Sequence, residues 1–338
     1  MVGLNKRIKN YYKWVGKTNL GYERMLNYES LYYLIWQLWS SGSGEYDNPI
    51  VLRIYKELEK RFISKVPAIE KKCTYNKSFT YFLEDILIYI EDVACEKLYK
   101  TLSSEFFILI YGACNDAAIK RINIFTLNHD TLVEQSLERK GINYCDGFVR
   151  SDLPILLWNP EIFKKNEYKI NLYKLHGSIN WYQFKKENDS NYFVGKVPQG
   201  FKEIDHIEYL KSKYLYRYNR HMILVGTFNK MFDYLTNIFI EIHYRFFNVL
   251  NSIDTLIISG YSFNDKGINF SIKKWMDSDI NNKIILVNPD PEELRFNARG
   301  MIKNSWYNWE NNKKLLIIPK KFEETRWEEL KYDLKKSI

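Results

Sequence analysis

The sequence predicts an α/β protein built on a doubly wound, mostly parallel sheet with helical insertions. From about residue 121 onward, short continuous runs of Val, Ile and Leu alternate with helical segments. Such runs are typical of strands covered on both faces, and their alternation with helices predicts a parallel sheet. The 338 residues, with a hydrophobic fraction of 46%, are enough for a sizeable core.

Residues 22–117 are predicted to be mainly helical, because apolar side chains recur there at helical spacing. Polar loops at 40–49 and 71–78 separate the predicted helices. The residues that show the spacing are Tyr28, Leu31, Leu34, Ile35, Leu38, Phe82, Ile86, Ile90 and Val93.

Residues 121–325 are predicted to form the sheet core. The predicted strands are 122–127, 169–175, 222–225, 255–259, 284–287 and 315–318, and the predicted helices are 131–140, 234–251, 268–278 and 327–336. The polar residues 185–220 are predicted to form a hairpin followed by an irregular or helical insertion. The length allows one large domain or two ordinary ones, and we expect residues 1–338 to form a single domain.

The composition limits the classes of binding partner and the cellular compartment that we expect for this protein. The net charge of +9 mildly favours an anionic partner, such as a dinucleotide, a nucleic acid or an acidic protein. The basic residues do not form a stripe, so we do not predict a nucleic acid as the direct ligand. The four cysteines include no Cys-x-x-Cys pair, which argues against a zinc site and fits a reducing, cytoplasmic compartment. No apolar run approaches the ~20 residues that span a bilayer.

Polar, small or titratable residues follow four of the predicted strands. Parallel sheets bind ligands at the carboxyl ends of their strands, so we expect a binding site there. The residues in question are Asn128, His129 and Asp130; His176, Gly177 and Ser178; Gly260 to Asp265; and Asn288, Pro289 and Asp290.

His176 is the most informative of these residues, because it ends an apolar run from Ile170 to Leu175 and is followed at once by Gly and Ser. The ordinary pKa of histidine, about 6.5, lies closest to neutral pH. A histidine at the rim of a sheet can therefore act as a general base. The alternative interpretation is a turn with an incidental histidine.

The residue types fit a dinucleotide. Gly260 permits close approach of the backbone, and Ser262 can donate to a phosphate or ribose oxygen. A helix that starts near Asn264 or Asp265 would offer N–H groups to an anion. Asn288 can both donate and accept, which suits a ribose diol.

Helix capping is the alternative for several polar residues. Asp290 could cap a helix begun by Pro291. Asn128 and Asp130 could cap the helix 131–140. For His129 we favour a packing role.

Five segments resemble sirtuin-like proteins in content and order. The similarity extends from about residue 25 to about residue 325. It is strongest to the bacterial branch found in anti-phage defence systems, and it does not extend to the zinc-containing deacylases. The segments are Thr126–Glu134, Asp146–Phe148, Lys174–Trp181, Gly260–Asp265 with Ile268 and Asn269, and Val287–Pro289.

The resemblance implies a Rossmann-like fold that binds NAD or a relative such as ADP-ribose, without a metal. It implies that His176 engages the nicotinamide ribose hydroxyls and that Asn128 lies beside the scissile N-glycosidic bond. Asp130 matches an acidic position near the nicotinamide. The residues implied to bind the ligand are Asp130, Gly177, Gly260, Ser262 and Asn288.

One family element is not found in the sequence. Sirtuin-like proteins open with a strand and a Gly-Ala-Gly-x-Ser turn that holds the pyrophosphate. Gly42-Ser43-Gly44 follows a helix-like segment instead, so we interpret it as a flexible turn. Asn27-Tyr28-Glu29 resembles a segment that normally lies well inside the domain. Either the start codon is assigned too late, or this member has lost the loop.

The resemblance predicts an NAD hydrolase that releases nicotinamide and ADP-ribose in anti-phage defence. A defence-system partner protein or a homo-oligomer would regulate it. Two alternatives stay open. One is a non-catalytic NAD or ADP-ribose binding module, which the missing Gly-rich loop favours. The other is an NAD-dependent protein deacylase, which lacks support because the paired cysteines of the zinc module are absent.

Overall fold

The computed structural model describes residues 28–46, 48–65, 78–99, 107–165, 167–186, 191–198, 215–217, 221–226, 234–235 and 237–336. Within these ranges the chain is a mixed α/β protein with ten α-helices and thirteen β-strands. No helix in this part of the chain has both the length and the apolar character that crossing a membrane requires.

The helices are α1 (Tyr28–Ser43), α2 (Pro49–Lys65), α3 (Phe79–Tyr99), α4 (Ile108–Asn115), α5 (Leu132–Arg139), α6 (Asn237–Leu250), α7 (Lys266–Ser278), α8 (Pro291–Asn297), α9 (Gly300–Asn311) and α10 (Trp327–Lys336). The strands are β1 (Ile122–Thr126), β2 (Tyr144–Cys145), β3 (Phe148–Val149), β4 (Leu156–Trp158), β5 (Ile170–Lys174), β6 (Gly177–Ser178), β7 (Trp181–Lys186), β8 (Tyr192–Lys196), β9 (Leu215–Arg217), β10 (Met222–Ile223), β11 (Thr255–Ser259), β12 (Lys283–Val287) and β13 (Leu315–Ile318).

All six predicted strands and all four predicted helices are confirmed, with shifts of one to three residues at half of their ends. Strands β2, β3, β4, β6 and β9 are missed, because two or three residues are too few to show an alternating pattern. Gly42 and Ser43 lie in the last turn of α1 rather than in a separate loop. Residue 27, and residues 71–77 and 199–214 of the predicted loops and insertion, lie outside the described residues.

The chain divides into two compact units. The first comprises residues 1–94 and 225–229, and its described part is helical. Its core lies between α1, α2 and α3, where Leu38, Tyr55 and Leu83 are buried together. The Tyr55 hydroxyl is 2.7 Å from the Thr80 hydroxyl, so this buried ring has a polar partner. The prediction of one domain over residues 1–338 stays a prediction.

The second unit comprises residues 95–224 and 230–338 and holds two parallel three-stranded sheets. One has the order β1-β5-β2 and the other the order β11-β12-β13. All pairings in both sheets are parallel, as the apolar runs predict. In the described residues they are separate sheets, so the single doubly wound sheet is not seen as one continuous sheet.

Helices cover both faces of β12. Ile284 and Leu286 belong to one core with residues of α7 and α9. Ile285 and Val287 belong to another core with residues of α4 and α10. The full burial of β12 follows from these two layers, and it explains why its sequence is a continuous apolar run.

The remaining strands of the second unit pair in antiparallel fashion. Five of them form a sheet with the order β3-β4-β8-β7-β9, and β10 pairs with β6. The predicted hairpin of the insertion is confirmed as β7 and β8, in which Phe184 pairs with Phe193.

Candidate functional site at the strand ends

Strand β5 delivers His176 to the site. All five residues of β5 are buried, and the amide of Leu175 still donates to the Thr126 carbonyl oxygen at 2.9 Å. The chain then turns at Gly177, which has a φ of +78°. A Cβ atom at Gly177 would overlap the Met222 carbonyl oxygen, so only glycine fits. This turn leaves His176 only 3% exposed.

Strand β1 delivers Asn128 to the same edge. Thr126 pairs with Lys174 in the parallel ladder, so Asn128 and His176 both lie two residues beyond paired positions. Asn128 is exposed. The next residue, His129, is buried, and its ring centroid lies 6.2 Å from that of His176.

His129 ties the two loops together through its backbone. Its carbonyl oxygen accepts from the amide of Ile179 at 3.0 Å and from the Ser178 hydroxyl at 3.3 Å. The packing role predicted for His129 is therefore supported.

Asp265 meets the His176 ring from the loop after β11. Nε2 of His176 lies 3.2 Å from Oδ2 of Asp265 and 3.1 Å from the Tyr234 hydroxyl. Tyr234 donates to the same carboxylate oxygen at 2.8 Å. Burial raises the pKa of the Asp265 carboxyl, but bonds from His176, the Ile268 amide and Tyr234 outweigh it and hold that pKa well below its usual range.

The loop that carries Asp265 has a fixed and unusual backbone. Gly260 and Phe263 both have positive φ, +65° and +53°. Such a conformation is uncommon for a residue other than glycine, and the Phe263 side chain is buried in the core. The Asn269 side chain donates to the Phe263 carbonyl oxygen at 2.7 Å and accepts from the Tyr261 hydroxyl at 2.7 Å.

Strands β11 and β12 bring Gly260 and Asn288 side by side. Ser259 pairs with Val287, so the two following residues leave the ladder together. Asn288 is half-buried, and its side-chain oxygen accepts from the Asp290 amide at 2.8 Å. Ser262 is exposed, and its hydroxyl accepts from the Asn264 side chain at 3.1 Å.

The capping alternative for Asp290 is confirmed, and the structure shows a further cap at Asp265 that was not predicted. Asp290 is the N-cap of α8, where its carboxylate accepts from the Glu293 amide at 3.0 Å. Asp265 is the N-cap of α7 and accepts from the Ile268 amide at 3.0 Å. The predicted helix start is therefore correct, but its use as an anion site is not supported. Asp265 already bonds the Ile268 amide, and its negative charge opposes a phosphate.

Comparison with known proteins identifies the chain at the level of the family. A family model described as "SIR2-like domain" matches residues 122–313, more than half of the 338 residues. This chain belongs to the SIR2-like domain family. Membership implies NAD binding and an NAD-related function. No curated protein matches the chain.

All the predicted site residues lie inside the matched SIR2-like domain. The structure brings His176 beside the 260–265 loop through Asp265. Asn128 and His176 each lie two residues beyond the last pair of their ladder, and Gly260 and Asn288 each lie one residue beyond theirs. No direct contact joins Asn128, Ser262 and Asn288 among the described residues. No three His, Cys, Asp or Glu side chains in this part of the chain are grouped so that they could hold a metal.

Asp130 of the SIR2-like domain has a structural role, and its predicted contact with the ligand stays a prediction. Its carboxylate accepts from the Leu132 amide at 3.0 Å, but the N-cap of α5 is Thr131, so neither Asn128 nor Asp130 is the cap that the alternative names. Its carbonyl oxygen accepts from the ammonium of Lys174, which also lies 3.2 Å from Glu134. Lys174 and Glu134 are almost completely buried, so this ion pair fixes the Asp130 loop from inside the protein.

The contacts of Asp265, Tyr234, Lys174 and Glu134 are missed by sequence reasoning. A lysine inside the apolar run 170–175 is a signal, because a buried lysine needs a carboxylate partner. No signal in the sequence pairs Tyr234 or Asp265 with His176.

His243 makes the SIR2-like domain sensitive to acid. Burial, together with the charge of His176, lowers the pKa of His243 to about 4 from an ordinary value of about 6.5. The unfolded chain therefore binds a proton that the folded chain does not bind between these values. We expect His243 to leave the free energy of unfolding unchanged above pH 6.5. That free energy should fall by about 3 kcal/mol as the pH drops to 4, because the unfolded chain then gains a proton that the folded chain does not.

Urea unfolding at pH 7 and at pH 4.5 checks this prediction. The variant His243→Phe keeps an aromatic ring against Tyr234, whose ring centroid lies 3.8 Å from that of His243. Its unfolding free energy should change less between the two pH values than that of the wild type. Equal changes in the two proteins would refute the assignment.

Proposed function

We propose that this SIR2-like domain hydrolyses NAD to nicotinamide and ADP-ribose. The observation that carries the proposal is the placement of His176. It ends β5 at the carboxyl edge of a parallel sheet, bonds to Asp265 and Tyr234, and lies across the ladder from the exposed Asn128.

The strand-end residues fit the chemical groups of NAD. Gly260 has open space around its Cα, since a Cβ atom there would meet nothing within 4 Å. The exposed Ser262 hydroxyl can donate to a phosphate or ribose oxygen, and the half-buried Asn288 side chain suits a ribose diol. We propose Asp130 and Gly177 as further residues that line the ligand.

The proposed reaction adds water to C1′ of the nicotinamide ribose. The N-glycosidic bond breaks, nicotinamide leaves with the bonding electron pair, and the proton of the attacking water is released. In this proposal His176 polarises or deprotonates a ribose hydroxyl. Asn128 orients the ribose or the attacking water through its amide group.

The biological setting is also a proposal. The resemblance of the sequence favours a role in bacterial anti-phage defence, with a partner protein or self-association as the trigger. The sparse, scattered cysteines favour a cytoplasmic location. A Rossmann-like arrangement that joins the two parallel sheets agrees with the family and stays a prediction.

A non-catalytic NAD or ADP-ribose binding module is the second candidate. The Gly-Ala-Gly-x-Ser turn is not found in the sequence. The Asp265 carboxylate at the start of α7 also removes an amide that could otherwise bind phosphate. The occupied Ile268 amide favours weak binding of the ligand phosphates. Deacylation is the least supported candidate, because the sequence has no Cys-x-x-Cys pair for a zinc module.

Nicotinamide release separates these candidates. Purified full chain is incubated with NAD, with and without an acylated peptide, and nicotinamide is measured by chromatography. A hydrolase releases nicotinamide without the peptide, whereas a deacylase requires it. A thermal shift with NAD or ADP-ribose but no release would indicate a binding module, and would contradict the proposed hydrolysis.

Replacing Gly260 with alanine is expected to abolish the thermal shift caused by NAD while destabilising the free protein by only about 1 kcal/mol. The positive φ of Gly260 accounts for the small loss of stability, and the added methyl group would occupy the space proposed for the ligand. Differential scanning fluorimetry with and without NAD measures both effects.

Gly141→Ala is the matched control for this variant. Gly141 also has a φ of +65°, and a Cβ atom there would also meet nothing within 4 Å. It follows α5, away from the strand-end residues. We expect Gly141→Ala to lower the melting temperature similarly but to keep the NAD shift. Equal NAD shifts in the two variants would exclude Gly260 from the site.

A further inference from the structure

We propose that Asp265 is a positioning residue for His176: it keeps a hydrogen on Nε2, so that Nδ1 is the nitrogen that takes up and releases the proton. The proposal rests on the proposed function for its catalytic consequence. The proton placement itself can be tested without any activity.

The donors and acceptors around Nε2 allow one consistent arrangement. Oδ2 of Asp265, 3.2 Å from Nε2, belongs to an ionised carboxylate that can only accept. The Tyr234 hydroxyl donates its hydrogen to the same oxygen at 2.8 Å. Its oxygen atom can therefore only accept a hydrogen bond from Nε2. Both neighbours of Nε2 are acceptors, so Nε2 must carry the hydrogen.

The surroundings hold this arrangement in place. His176 is 3% exposed and the Asp265 side chain is 9% exposed, so water competes little for the bond. Tyr234 is stacked on His243, and Nε2 of His243 lies 3.0 Å from the Leu175 carbonyl oxygen. Because the pKa of His243 is lowered to about 4, this ring is neutral at pH 7 and donates to that carbonyl from Nε2.

The same carboxylate has a second fixed bond. Oδ1 of Asp265 accepts from the Ile268 amide at 3.0 Å, which sets the side chain at the start of α7. One oxygen is therefore held by the helix while the other faces His176. This arrangement makes Asp265 a rigid reference for the imidazole, and it connects the 260–265 loop to the end of β5.

The arrangement has a chemical consequence. A ring held as the Nε2–H form presents a lone pair at Nδ1, which is what a general base needs. When a proton leaves a ribose hydroxyl for Nδ1, the imidazolium that forms lies against the Asp265 carboxylate and is stabilised by it. A group that holds a histidine in its working tautomer acts in the same way in the Ser-His-Asp triad.

Asp265→Asn is the variant that tests the proposal. Asparagine is an equally good N-cap, so α7 should keep its start. Its amide can donate toward Nε2, which would move the hydrogen of His176 to Nδ1. We expect nicotinamide release to fall by about 10²–10⁴-fold, mainly in kcat.

The proton placement is tested by ¹⁵N NMR of the imidazole nitrogens in the full chain. A purely structural role of Asp265 would leave these chemical shifts unchanged when Asp265 is replaced. The chain has five histidines, and the His176→Gln spectrum assigns the His176 signals. In the wild type, Nε2 of His176 should show the shift of a protonated nitrogen and Nδ1 that of an unprotonated one at pH 7.5. In Asp265→Asn the two shifts should exchange.

Asp290→Asn is the matched control, since Asp290 caps α8 through the same bond to the amide three residues on. This variant should keep the wild-type His176 shifts. Tyr234→Phe should keep the tautomer and raise the exchange broadening of the Nε2 signal.

The NMR and kinetic results have separate meanings. Unchanged His176 shifts in a folded Asp265→Asn protein would overturn the proposal, whatever the rate. If the wild type released no nicotinamide, the proposed function would fail, while exchanged shifts in Asp265→Asn would still support the positioning role. Wild-type kcat in a variant with exchanged shifts would overturn its catalytic consequence.

Discussion

Replacing His176 with alanine in the full chain is expected to lower the rate of nicotinamide release from NAD by about 10²–10⁴-fold, because a positioned base contributes this much to a proton transfer. The ring is buried at the end of β5 and bonded to Asp265 and Tyr234, and alanine would remove both of these contacts. Initial rates over a range of NAD concentrations give kcat and KM separately, and the loss should lie mainly in kcat.

His221→Phe is the control for this result. His221 is another histidine of the second unit, and its ring packs on Tyr99 and Tyr182. Phenylalanine keeps that packing, so we expect a rate within about threefold of the wild type. A folded His176→Ala protein with the wild-type rate would remove His176 from the mechanism.

Replacing Lys174 with methionine is expected to destabilise the second unit by about 3–5 kcal/mol, because it leaves the Glu134 carboxylate buried without its cation. The side chains of Lys174 and Glu134 are 1% and 0% exposed. The lysine also bonds the Asp130 carbonyl oxygen, so the loop that carries Asn128 should loosen. Urea unfolding followed by tryptophan fluorescence measures the loss of stability.

A second substitution shows whether the buried charge is the cause. The double variant Lys174→Met, Glu134→Gln removes both charges and should recover a large part of the lost stability. The matched control is Lys320→Met, which breaks the exposed pair of Lys320 with Glu329, 47% and 48% exposed. Its cost should be below about 1 kcal/mol. Equal losses for Lys174→Met and Lys320→Met would contradict the structural role given to the buried pair.

The burial of the strands explains why most of the secondary structure could be predicted from the sequence. Strand β12 has one face toward α7 and α9 and the other toward α4 and α10, so every residue from 284 to 287 is apolar. Polar residues follow Val287 because the chain is no longer covered on both faces after this residue. The same reasoning places Asn128, His176 and Gly260 beyond the ends of β1, β5 and β11.

The sequence did not show which strands belong to the same sheet. A continuous apolar run reports that a strand is covered on both faces, but it does not report which strand lies beside it. The chain pairs β1, β5 and β2 in one sheet and β11, β12 and β13 in another. The sequence predicts one sheet because periodicity contains no information on pairing between distant strands.

The sequence by itself determined which residues stand at the strand ends, because turns and apolar runs are local properties of the chain. It also showed the family resemblance, since the matched segments keep their order along the chain. Only the tertiary structure decided that Asp265 faces His176 and that Lys174 meets Glu134. The physical reason is that these partners come from different elements, and their contact depends on how those elements pack rather than on any local pattern.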